Sequence, residues 1–482
     1  MVVGKLSASE DCEVVVIGAG PGGYVCAIRL AQLGKDVILI DKRASLGGVC
    51  LNEGCIPSKA LIHAAEVREE MKHASNMGLK LDSVPEVDMK TLQKWKSGIV
   101  QRLTRGVATL EKAHKVRVMH GSARFTSSNQ LELVQERDSV QIDFDQAVIA
   151  TGTVPIEIPS LPFDGDFVIG SKEALNLEEV PKKMVVIGGG YIGLELGTAY
   201  QKLGSSVTIV EVQDKLLGGT LEPEIHSVLL KRAKSLGMEI LTNHRALSAT
   251  PGKPGTVKVA DANGKEVELE ADKVLVVVGR RPYTEGLQLE MVGLAPDERG
   301  FLPVDIERRT ATPHIFAIGD ITGGFMLAHK AYKEAKVAAE VIAGHPAAFD
   351  VRAVPAVMFV DPEIASVGLT EAEAIEQGHK VLTGVFPLKA SGRAMTLGAT
   401  EGLVKVVADG ESQRLLGFHI AGPNAGELIG EGTLAIELDA FLDDIENTIH
   451  PHPTLSEAVL ESVELVLGSC AHFTSPAKKR AS

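Results

Sequence analysis

Two cysteines separated by four residues are the clearest candidates for chemistry in this chain. They are Cys50 and Cys55, in the run GGVCLNEGCIPSK at positions 47–59. Pro57 suits the first turn of a helix, where its missing N–H is not needed. Cys55 would then lie at the positive end of that helix, which favours a thiolate, with Lys59 one turn further on the same face. The spacing favours a redox-active dithiol. The alternatives are two packed cysteines or half of a zinc site, and a zinc site needs four ligands where no second cysteine pair exists.

A histidine near the C-terminus is the candidate base. His452 precedes Pro453, which favours an extended backbone, and Glu457 follows in the expected first turn of the next helix. A carboxylate at that position can reach the ring and fix its tautomer, as a base that serves a dithiol requires. The alternative is a surface His-Pro turn. His450 is the weaker candidate because it lacks a carboxylate at that spacing.

A glycine-rich turn close to the N-terminus indicates a dinucleotide site. The run GAGPGG at 18–23 lies between an apolar strand, 13–17, and an amphipathic helix. In this setting Gly18 makes the tight turn, Gly20 allows a pyrophosphate to approach the helix N-terminus, and Gly23 allows close packing of helix on strand. Asp41, at the end of the next strand, can accept hydrogen bonds from ribose hydroxyls. The alternative is a plain glycine turn.

The same pattern recurs about 170 residues later, as GGGYIG at 188–193 after the apolar strand 183–187. Glu211 repeats the acid. A carboxylate there accepts from the 2′-hydroxyl of NAD and repels the 2′-phosphate of NADP, and 212–214 carry no basic residue. Two dinucleotide sites and a dithiol in one chain describe an electron relay.

Composition limits the remaining possibilities. The 482 residues exceed one ordinary core, and 45% hydrophobic residues with 49 glycines suit an α/β protein with many tight turns. A net charge of −14 argues against nucleic acid as a partner, and five cysteines are too few for a disulfide-built secreted fold. No apolar run is long enough to span a bilayer. We expect a reducing compartment, the bacterial cytoplasm or, alternatively, the mitochondrial matrix or plastid stroma.

The order of motifs predicts an α/β protein with two Rossmann-like dinucleotide-binding domains, the second inserted in the first, and a C-terminal α+β domain. The predicted boundaries are 1–152 with 281–350 for the first domain, 153–280 for the second, 351–470 for the third and 471–482 for a flexible tail. The third domain carries no nucleotide fingerprint. Its strands are predicted at 355–368, 381–388, 402–407 and 414–421.

The cysteine run resembles the active-site stretch of the pyridine nucleotide–disulfide oxidoreductases, which usually read GGTCLNVGCIPSK, and HPHPTLSE at 450–457 resembles their H-x-H-P-T-x-S-E pattern. Val49 and Glu53 depart from the usual threonine and valine. The resemblance covers essentially the whole chain, from Asp11 to about Leu467. It implies FAD and NAD as cofactors, a homodimer, and oxidation of protein-bound dihydrolipoamide to lipoamide with reduction of NAD. The implied partners are lipoyl domains of acyltransferase subunits or the lipoyl carrier protein of glycine cleavage.

The resemblance also assigns residues to the two cofactors. Those implied for FAD are Gly18, Gly20, Gly23, Asp41, Gly48, Val49, Cys50, Lys59, Gly121, Thr151, Gly152, Gly319, Asp320, Met326, Leu327, Ala328 and His329. Those implied for NAD are Gly188, Gly190, Tyr191, Ile192, Gly193, Glu195, Glu211, Gly279 and Arg280.

The implied catalytic set is a Cys50–Cys55 redox disulfide, an ion pair of Lys59 with Glu195 near the flavin, and His452 with Glu457. By resemblance the base reaches the disulfide of the partner subunit. The alternative for Glu195 is an exposed carboxylate at a helix N-terminus, and the resemblance, not the spacing, favours the pair. Glu53 adds a negative charge between the sulfurs, which we expect to affect the redox poise.

Two other branches of the family are alternatives. A glutathione reductase should carry arginines near Glu211 for NADPH, and a mercuric reductase should carry a second cysteine pair near the C-terminus, where only Cys470 stands. A non-enzymatic docking role in a larger complex is also compatible with the sequence as an added role. No metal site is predicted.

Overall fold

The structure, a computed structural model, describes residues 5–136 and 138–474. The predicted flexible tail therefore lies outside the described residues from position 475 onward. The described chain forms two compact units. The first unit contains the chain up to Ala64 together with Pro85–Glu179 and Val277–Asp350. The second unit contains Ala65–Val84, Val180–Val276 and the chain from Val351 onward.

The strands in chain order are β1 (Lys5–Ile17), β2 (Val37–Asp41), β3 (Arg117–His120), β4 (Ser122–Ser127), β5 (Gln130–Val134), β6 (Asp138–Ile149), β7 (Thr153–Pro155), β8 (Val168–Ile169), β9 (Lys183–Ile187), β10 (Ser206–Val210), β11 (Glu239–Leu241), β12 (His244–Thr250), β13 (Gly255–Asp261), β14 (Glu266–Ala271), β15 (Lys273–Val276), β16 (Arg280–Pro282), β17 (Ile315–Ala317), β18 (Ala356–Met358), β19 (Ile364–Gly368), β20 (Val381–Pro387), β21 (Leu403–Asp409) and β22 (Leu415–Ala421).

The helices in chain order are α1 (Pro21–Gln32), α2 (Gly48–Glu53), α3 (Cys55–His73), α4 (Met89–Ala113), α5 (Ser171–Ala174), α6 (Tyr191–Leu203), α7 (Pro223–Ser235), α8 (Ala328–Ile342), α9 (Glu371–Glu376), α10 (Gly392–Thr396), α11 (Ala425–Glu437), α12 (Leu442–Glu446) and α13 (Glu457–Leu467).

The first unit is built on a parallel sheet in which β1 lies between β2 and β6, with β3 beyond β2 and β17 beside β6. The strands of this sheet are near-continuous apolar runs because both of their faces are covered. On one face α1 and α8 pack through Cys26, Ala27, Leu30, Ala335 and Ala338. The hairpin β4–β5 extends the sheet from the first half of β6 in antiparallel register. The sheet therefore presents the loops after β1 and β2 at one edge, as the Rossmann prediction requires.

The second unit contains the repeat of that arrangement and a separate antiparallel sheet. Strands β11, β10, β9 and β15 are parallel neighbours in that order, and α6 follows β9 as α1 follows β1. The antiparallel sheet runs β18-β19-β22-β21-β20. Its core includes Phe386, Phe418 and the inward faces of α11 and α13. The predicted strand 355–368 is wrong as a single element: it is divided into β18 and β19, which pair with each other.

A buried lysine links the two parts of the second unit. Lys405 on β21 is almost fully buried and its Nζ lies 2.7 Å from Glu222, 2.8 Å from Glu371 and 3.1 Å from Glu224. Breaking such a network by removing one partner is costly because it leaves a buried charge unpaired. Lys405 therefore fixes the segment before α7 against the C-terminal sheet.

Glu111 on α4 is a buried acid in the first unit that no motif indicates. Its side chain is fully buried, and neither oxygen has a hydrogen-bond partner among the described residues. Burial raises the pKa of its carboxyl from 4.5 to about 8. The unfolded chain therefore loses this proton near pH 4.5 while the folded chain keeps it until about pH 8.

Glu111→Gln is expected to flatten the pH dependence of stability. Because the folded state holds the extra proton, the contribution of Glu111 to stability falls as pH rises from 4.5 to about 8. The variant lacks this loss, so its melting temperature should exceed that of the parent by several degrees more at pH 8.5 than at pH 5.5. Thermal melts at the two pH values measure the effect, with the variant Glu136→Gln as an exposed control. An equal difference at both values would contradict the assignment.

No helix in the described part of the chain is both long and apolar enough to cross a membrane.

Candidate functional site

The two sulfurs of the cysteine run lie together at the start of a helix. Cys50 is on α2, and α3 begins at Cys55, which confirms the predicted helix position of the second cysteine. Gly54 separates the two helices, and its carbonyl accepts the backbone N–H of Ser58 at 3.0 Å. Cys50 is half-buried and Cys55 is exposed, and the two side chains are hydrogen-bonded to each other. The pair is therefore placed for reversible dithiol–disulfide chemistry.

The surroundings of Cys50 hold its proton. The hydrogen bond with Cys55 raises the pKa of the Cys50 thiol most, burial raises it further, and the charge of Asp320 adds to the effect. Lys59 acts in the opposite direction. A nearby base is thus required for Cys50 to act as a nucleophile or leaving group at neutral pH.

The charge of Glu53 is compensated, which the sequence did not indicate. Its Oε2 lies 2.9 Å from Nη2 of Arg43 and its Oε1 lies 3.1 Å from Nζ of Lys172. Two cations on one carboxylate reduce its field at the neighbouring sulfurs. We therefore infer a smaller influence of Glu53 on the redox poise than an unpaired acid would have.

The cysteine run lies close against the first glycine turn at Gly48. We call the surface formed by Gly48 and the turn 18–23 the cradle. Gly48 has φ +60°, and a Cβ there would lie 2.5 Å from Cα of Gly20. At the same turn, a Cβ on Gly23 would lie 1.7 Å from the carbonyl oxygen of Gly18, so the predicted close packing of α1 on this turn is confirmed. On its other side Gly20 is open, with no atom within 4 Å of an added Cβ, and α1 has no side-chain cap. The backbone N–H groups at the start of α1, beside Gly20, therefore fit a pyrophosphate.

Asp41 holds this turn and the start of the following loop through its carboxylate. Its Oδ2 accepts the N–H of Ala19 at 2.7 Å, and its Oδ1 accepts the N–H of Arg43 at 2.8 Å. Its backbone carbonyl accepts the N–H of Gly121 at 3.0 Å, which brings two of the residues implied for FAD together. Each carboxylate oxygen keeps a lone pair for a ribose hydroxyl.

Asp320 is the acid at the other end of the cradle. Burial raises its pKa, while Arg280 and a hydrogen bond from Thr153 oppose the rise. Thr153 donates to Asp320 at 3.3 Å and accepts from Nε of Arg280 at 2.8 Å. Thr151 and Gly152 lie nearby in sequence and both bond the backbone of Tyr283. A half-buried carboxylate with a single long hydrogen bond in the described residues fits the hydroxyl groups of a ribitol chain.

A buried ion cluster that the sequence analysis missed holds the loop of Asp320. Glu334 on α8 is fully buried and accepts the N–H of Gly319 at 2.6 Å, while Arg308 and Lys330 each lie 2.9 Å from its Oε1. The cluster positions Gly319 and the first turn of α8. The remaining residues implied for FAD surround that turn: Met326 and Leu327 precede α8, and Ala328 and His329 begin it.

Two tyrosines near the sulfurs were also missed. The hydroxyl of Tyr24 on α1 donates to that of Tyr332 on α8 at 3.1 Å, and their rings pack edge to face. Burial raises the pKa of both hydroxyls, and the charges of Cys50 and Cys55 add to the rise at Tyr332. A single tyrosine on each of two helices gives no periodic signal in the sequence, so only the packing of α1 on α8 shows the pair.

The second glycine turn repeats the geometry of the first. Glu211 accepts the N–H of Gly189 at 2.6 Å and that of Gln213 at 2.8 Å, as Asp41 does in the first unit. Gly190 caps α6 with no atom within 4 Å of an added Cβ, and Tyr191 is exposed, while Ile192 and Gly193 lie behind them in the first turn. This turn therefore fits a second pyrophosphate. Gly188 has φ +115°, as a tight turn requires.

Two residues implied for NAD have structural partners. Glu195 is almost fully buried and accepts the N–H of Phe359 at 3.0 Å, so its reading as an exposed carboxylate is wrong. Arg280 follows Gly279 in the first unit and donates to the side chain and carbonyl of Thr153 at 2.8 and 2.7 Å. The pairing of Lys59 with Glu195 and the contacts of Gly279 and Arg280 with NAD stay predictions.

The candidate base has the predicted carboxylate. Nδ1 of His452 lies 2.7 Å from Oε1 of Glu457, whose Oε2 accepts the N–H of Thr454 at 2.8 Å. Burial raises the pKa of Glu457, but the hydrogen bonds from His452 and Thr454 outweigh it and leave that pKa below its ordinary value. The His452 side chain is 80% exposed. By contrast, His450 is buried with Nδ1 bonded to Thr448 and Nε2 to Glu431.

Two models of known protein families match this chain, and both are consistent with the site described above. The sequence model of the pyridine nucleotide-disulphide oxidoreductases matches residues 12–335, and that of the dimerisation domain of the same family matches residues 354–463. The dimerisation domain supports a homodimer.

Similar proteins extend over nearly the whole chain. A dihydrolipoyl dehydrogenase of Halobacterium salinarum is 50% identical over 476 residues, which cover 98% of this chain and 99% of that protein. One of Geobacillus stearothermophilus is 48% identical over 473 residues, with the same coverage. Among solved structures, LpdA of Mycobacterium tuberculosis is 26% identical with a TM-score of 0.87, covering 94% of this chain and 99% of that one. With these matches, and with the dithiol, the two glycine turns and the histidine–carboxylate pair in place, the chain belongs to the pyridine nucleotide-disulphide oxidoreductases.

Proposed function

We propose that this chain oxidises protein-bound dihydrolipoamide to lipoamide and reduces NAD to NADH, as a dihydrolipoyl dehydrogenase. The observation that carries the proposal is the hydrogen-bonded pair of Cys50 and Cys55 at the N-terminus of α3, beside a cradle that fits FAD. Relatives with this name are 46–50% identical over nearly their full length, which supports the substrate assignment.

The chemistry at the sulfurs is a dithiol–disulfide exchange. One substrate thiolate attacks Sγ of Cys50 in the Cys50–Cys55 disulfide, which breaks that bond and releases Cys55 as a thiolate. The second substrate thiolate attacks the substrate sulfur bound to Cys50, which closes the lipoamide disulfide and releases Cys50. Two electrons thus pass from the substrate to the cysteine pair.

The chain's own groups make these steps possible at neutral pH. His452 takes the proton of the attacking thiol, and Glu457 holds the ring with its Nδ1 proton directed at the carboxylate. The N-terminus of α3 and Lys59 stabilise the Cys55 thiolate. Because the His452 side chain is largely exposed, it is available to the cysteine pair of a second subunit, as in a homodimer with shared active sites.

The cofactors are proposed to bind as the two glycine turns suggest. FAD is held by the first turn, Asp41, Gly48, Asp320 and the start of α8; NAD is held by the second turn and Glu211. When bound beside the dithiol, FAD would supply two-electron redox chemistry between the cysteine pair and NAD. The domain boundaries that we propose are those predicted from the sequence: 1–152 and 281–350 for FAD, 153–280 for NAD, and 351–470 for the dimer interface.

The partners we propose are lipoyl groups carried on acyltransferase subunits or on the glycine cleavage carrier. Bacterial and archaeal relatives support a cytoplasmic setting. The test is anaerobic titration of the purified holoenzyme with dihydrolipoamide, followed by NAD. A thiolate-to-flavin charge-transfer band and then one NADH per dithiol are expected. Failure of dihydrolipoamide to reduce the protein, with reduction by NADPH and use of glutathione disulfide, would contradict the proposal in favour of another branch of the family.

Glu211 is expected to set the preference for NAD. Its carboxylate repels a 2′-phosphate, so kcat/KM for NADH should exceed that for NADPH by about 10²-fold or more. Glu211→Gln keeps an oxygen that can accept from Gly189 while removing the charge. We expect the ratio of kcat/KM for NADH to kcat/KM for NADPH, measured with lipoamide as acceptor, to fall about tenfold in this variant.

The matched control is Glu239→Gln, an exposed acid on the neighbouring strand β11. It removes the same charge without touching the glycine turn and should leave the ratio unchanged. A Glu211→Gln ratio equal to that of the parent would show that another group excludes NADPH.

A further inference from the structure

A cluster of four metal-ligating side chains lies where the chain turns back after α13. Glu461 and Glu464 are three residues apart on one face of that helix, and Cys470 and His472 follow its end. One ligand atom each from Glu461, Glu464 and Cys470 lie within 4.8 Å of one another. No step of the proposed reaction uses any of these groups.

The backbone holds this cluster in place. Gly468 ends α13 with φ +81°, and the N–H groups of Gly468 and Ser469 bond the carbonyl of Glu464 at 2.7 and 3.0 Å. This reversal directs the following residues back along the helix. Phe473 then packs edge to face on the buried Phe386, with ring centroids 6.2 Å apart. The segment 470–473 is therefore fixed to the domain on both sides of the cluster.

Glu461 is the centre of the cluster. Its side chain is nine-tenths buried, and its two oxygens accept from two candidate ligands: the thiol of Cys470, with Sγ 2.8 Å from Oε2, and Nδ1 of His472 on Oε1. A buried carboxylate is ordinarily paired with lysine or arginine. Here both partners are groups that give up a proton to bind a metal.

The surroundings are acidic. The strongest charges acting on Glu464 are those of Glu461 and Glu446, which oppose its ionisation, while His472 and His450 act in the opposite direction. The charges that act on His472 come from Glu461, Glu457 and Glu464. A divalent cation would supply the positive charge that this group of carboxylates lacks.

We propose that Glu461, Glu464, Cys470 and His472 bind one divalent transition-metal ion of the zinc class. One thiolate, one imidazole and two carboxylates form a four-ligand set typical of Zn²⁺, whereas Mg²⁺ and Ca²⁺ take oxygen ligands alone. Ligand atoms around tetrahedral zinc lie about 3.3–3.8 Å apart. The ligand atoms of Glu461, Glu464 and Cys470, which lie within 4.8 Å of one another, therefore need to approach by about 1 Å. His472 is already in contact with Glu461 through Nδ1. The ion replaces the two protons that Cys470 and His472 donate to Glu461.

The test must separate this site from the active-site dithiol, because a reduced dithiol also offers two thiolate ligands to Zn²⁺. The full-length Cys50→Ser, Cys55→Ser double variant removes that dithiol, and calorimetric titration with ZnCl₂ then counts the remaining sites. We expect one Zn²⁺ per chain with a Kd of about 1 µM or tighter. Adding Cys470→Ser or His472→Ala should weaken binding at least about tenfold. Glu446→Gln, which removes a nearby charge but no ligand, should change the Kd less than about threefold.

Cobalt gives an independent readout of the sulfur ligand. Titration of the double variant with Co²⁺ should produce a thiolate-to-cobalt charge-transfer band, and Cys470→Ser should abolish it. His472 is exposed, and Cys470 is only partly buried at the edge of the C-terminal core, so their replacement is not expected to unfold the chain. Absence of zinc binding in the double variant, or binding that Cys470→Ser and His472→Ala leave unchanged, would overturn the proposal.

Discussion

Cys55→Ser is expected to lower the rate of NAD reduction by dihydrolipoamide at least about 10³-fold. Without this sulfur the Cys50–Cys55 disulfide cannot form, so the substrate dithiol has no bond to exchange with. The hydroxyl that replaces it does not ionise at neutral pH, and the helix N-terminus and Lys59 have no thiolate to stabilise. Steady-state assays of dihydrolipoamide with NAD measure the loss.

The same variant should keep the half of the reaction that does not use sulfur. Transfer of electrons from NADH to ferricyanide needs the two cofactor sites alone, so its rate should stay within about twofold of the parent. Cys12→Ala is the matched control, because burial raises the pKa of that thiol to about 12 and leaves it inert. It should retain both activities. Near-normal NAD reduction by Cys55→Ser would show that electrons bypass the cysteine pair.

Local sequence was sufficient for the elements that position the site. Proline at the third residue of α3, glycine at the two turns and an acid at the end of the following strand each act through nearby backbone, so their placement could be read from spacing. The structure agrees with these predictions. Helix α3 starts at Cys55, and the carboxylates of Asp41 and Glu211 each accept a backbone N–H from a glycine turn. The roles in cofactor binding came from resemblance instead.

Contacts between distant segments could not be predicted in this way. Glu53 is neutralised by Arg43 and Lys172, and Glu334 collects Arg308 and Lys330, because the fold brings together side chains that no periodic pattern relates. A charge read from sequence alone is an unpaired charge, and the two ion pairs of Glu53 could not be seen in it. The effect of Glu53 on the redox poise stays a prediction. The electrostatics of the site required the structure, whereas the candidate dithiol and its base could be found from residue types and spacing.

His452→Gln is expected to slow NAD reduction by dihydrolipoamide about 10²- to 10³-fold, because glutamine cannot take the proton of the substrate thiol. Electron transfer from NADH to ferricyanide should be unaffected. Glu457→Gln keeps an acceptor for Nδ1 but removes the charge that stabilises the protonated ring, so a loss of about tenfold is expected. His450→Gln is the neighbouring control, since both nitrogens of that ring are already bonded, and it should lose less than Glu457→Gln.

Mixed dimers decide whether the base serves its own chain or the other. Cys55→Ser and His452→Gln chains with different affinity tags are expressed together, and the doubly tagged dimers are purified. If active sites are shared, such a dimer has one site with both sulfurs and the base, and one site with neither, so it should show about half of the parent rate. If each chain uses its own histidine, both sites are defective and the dimer should be as slow as the single variants. The second result would place His452 with the cysteines of its own subunit and remove the reason for an obligate dimer in catalysis.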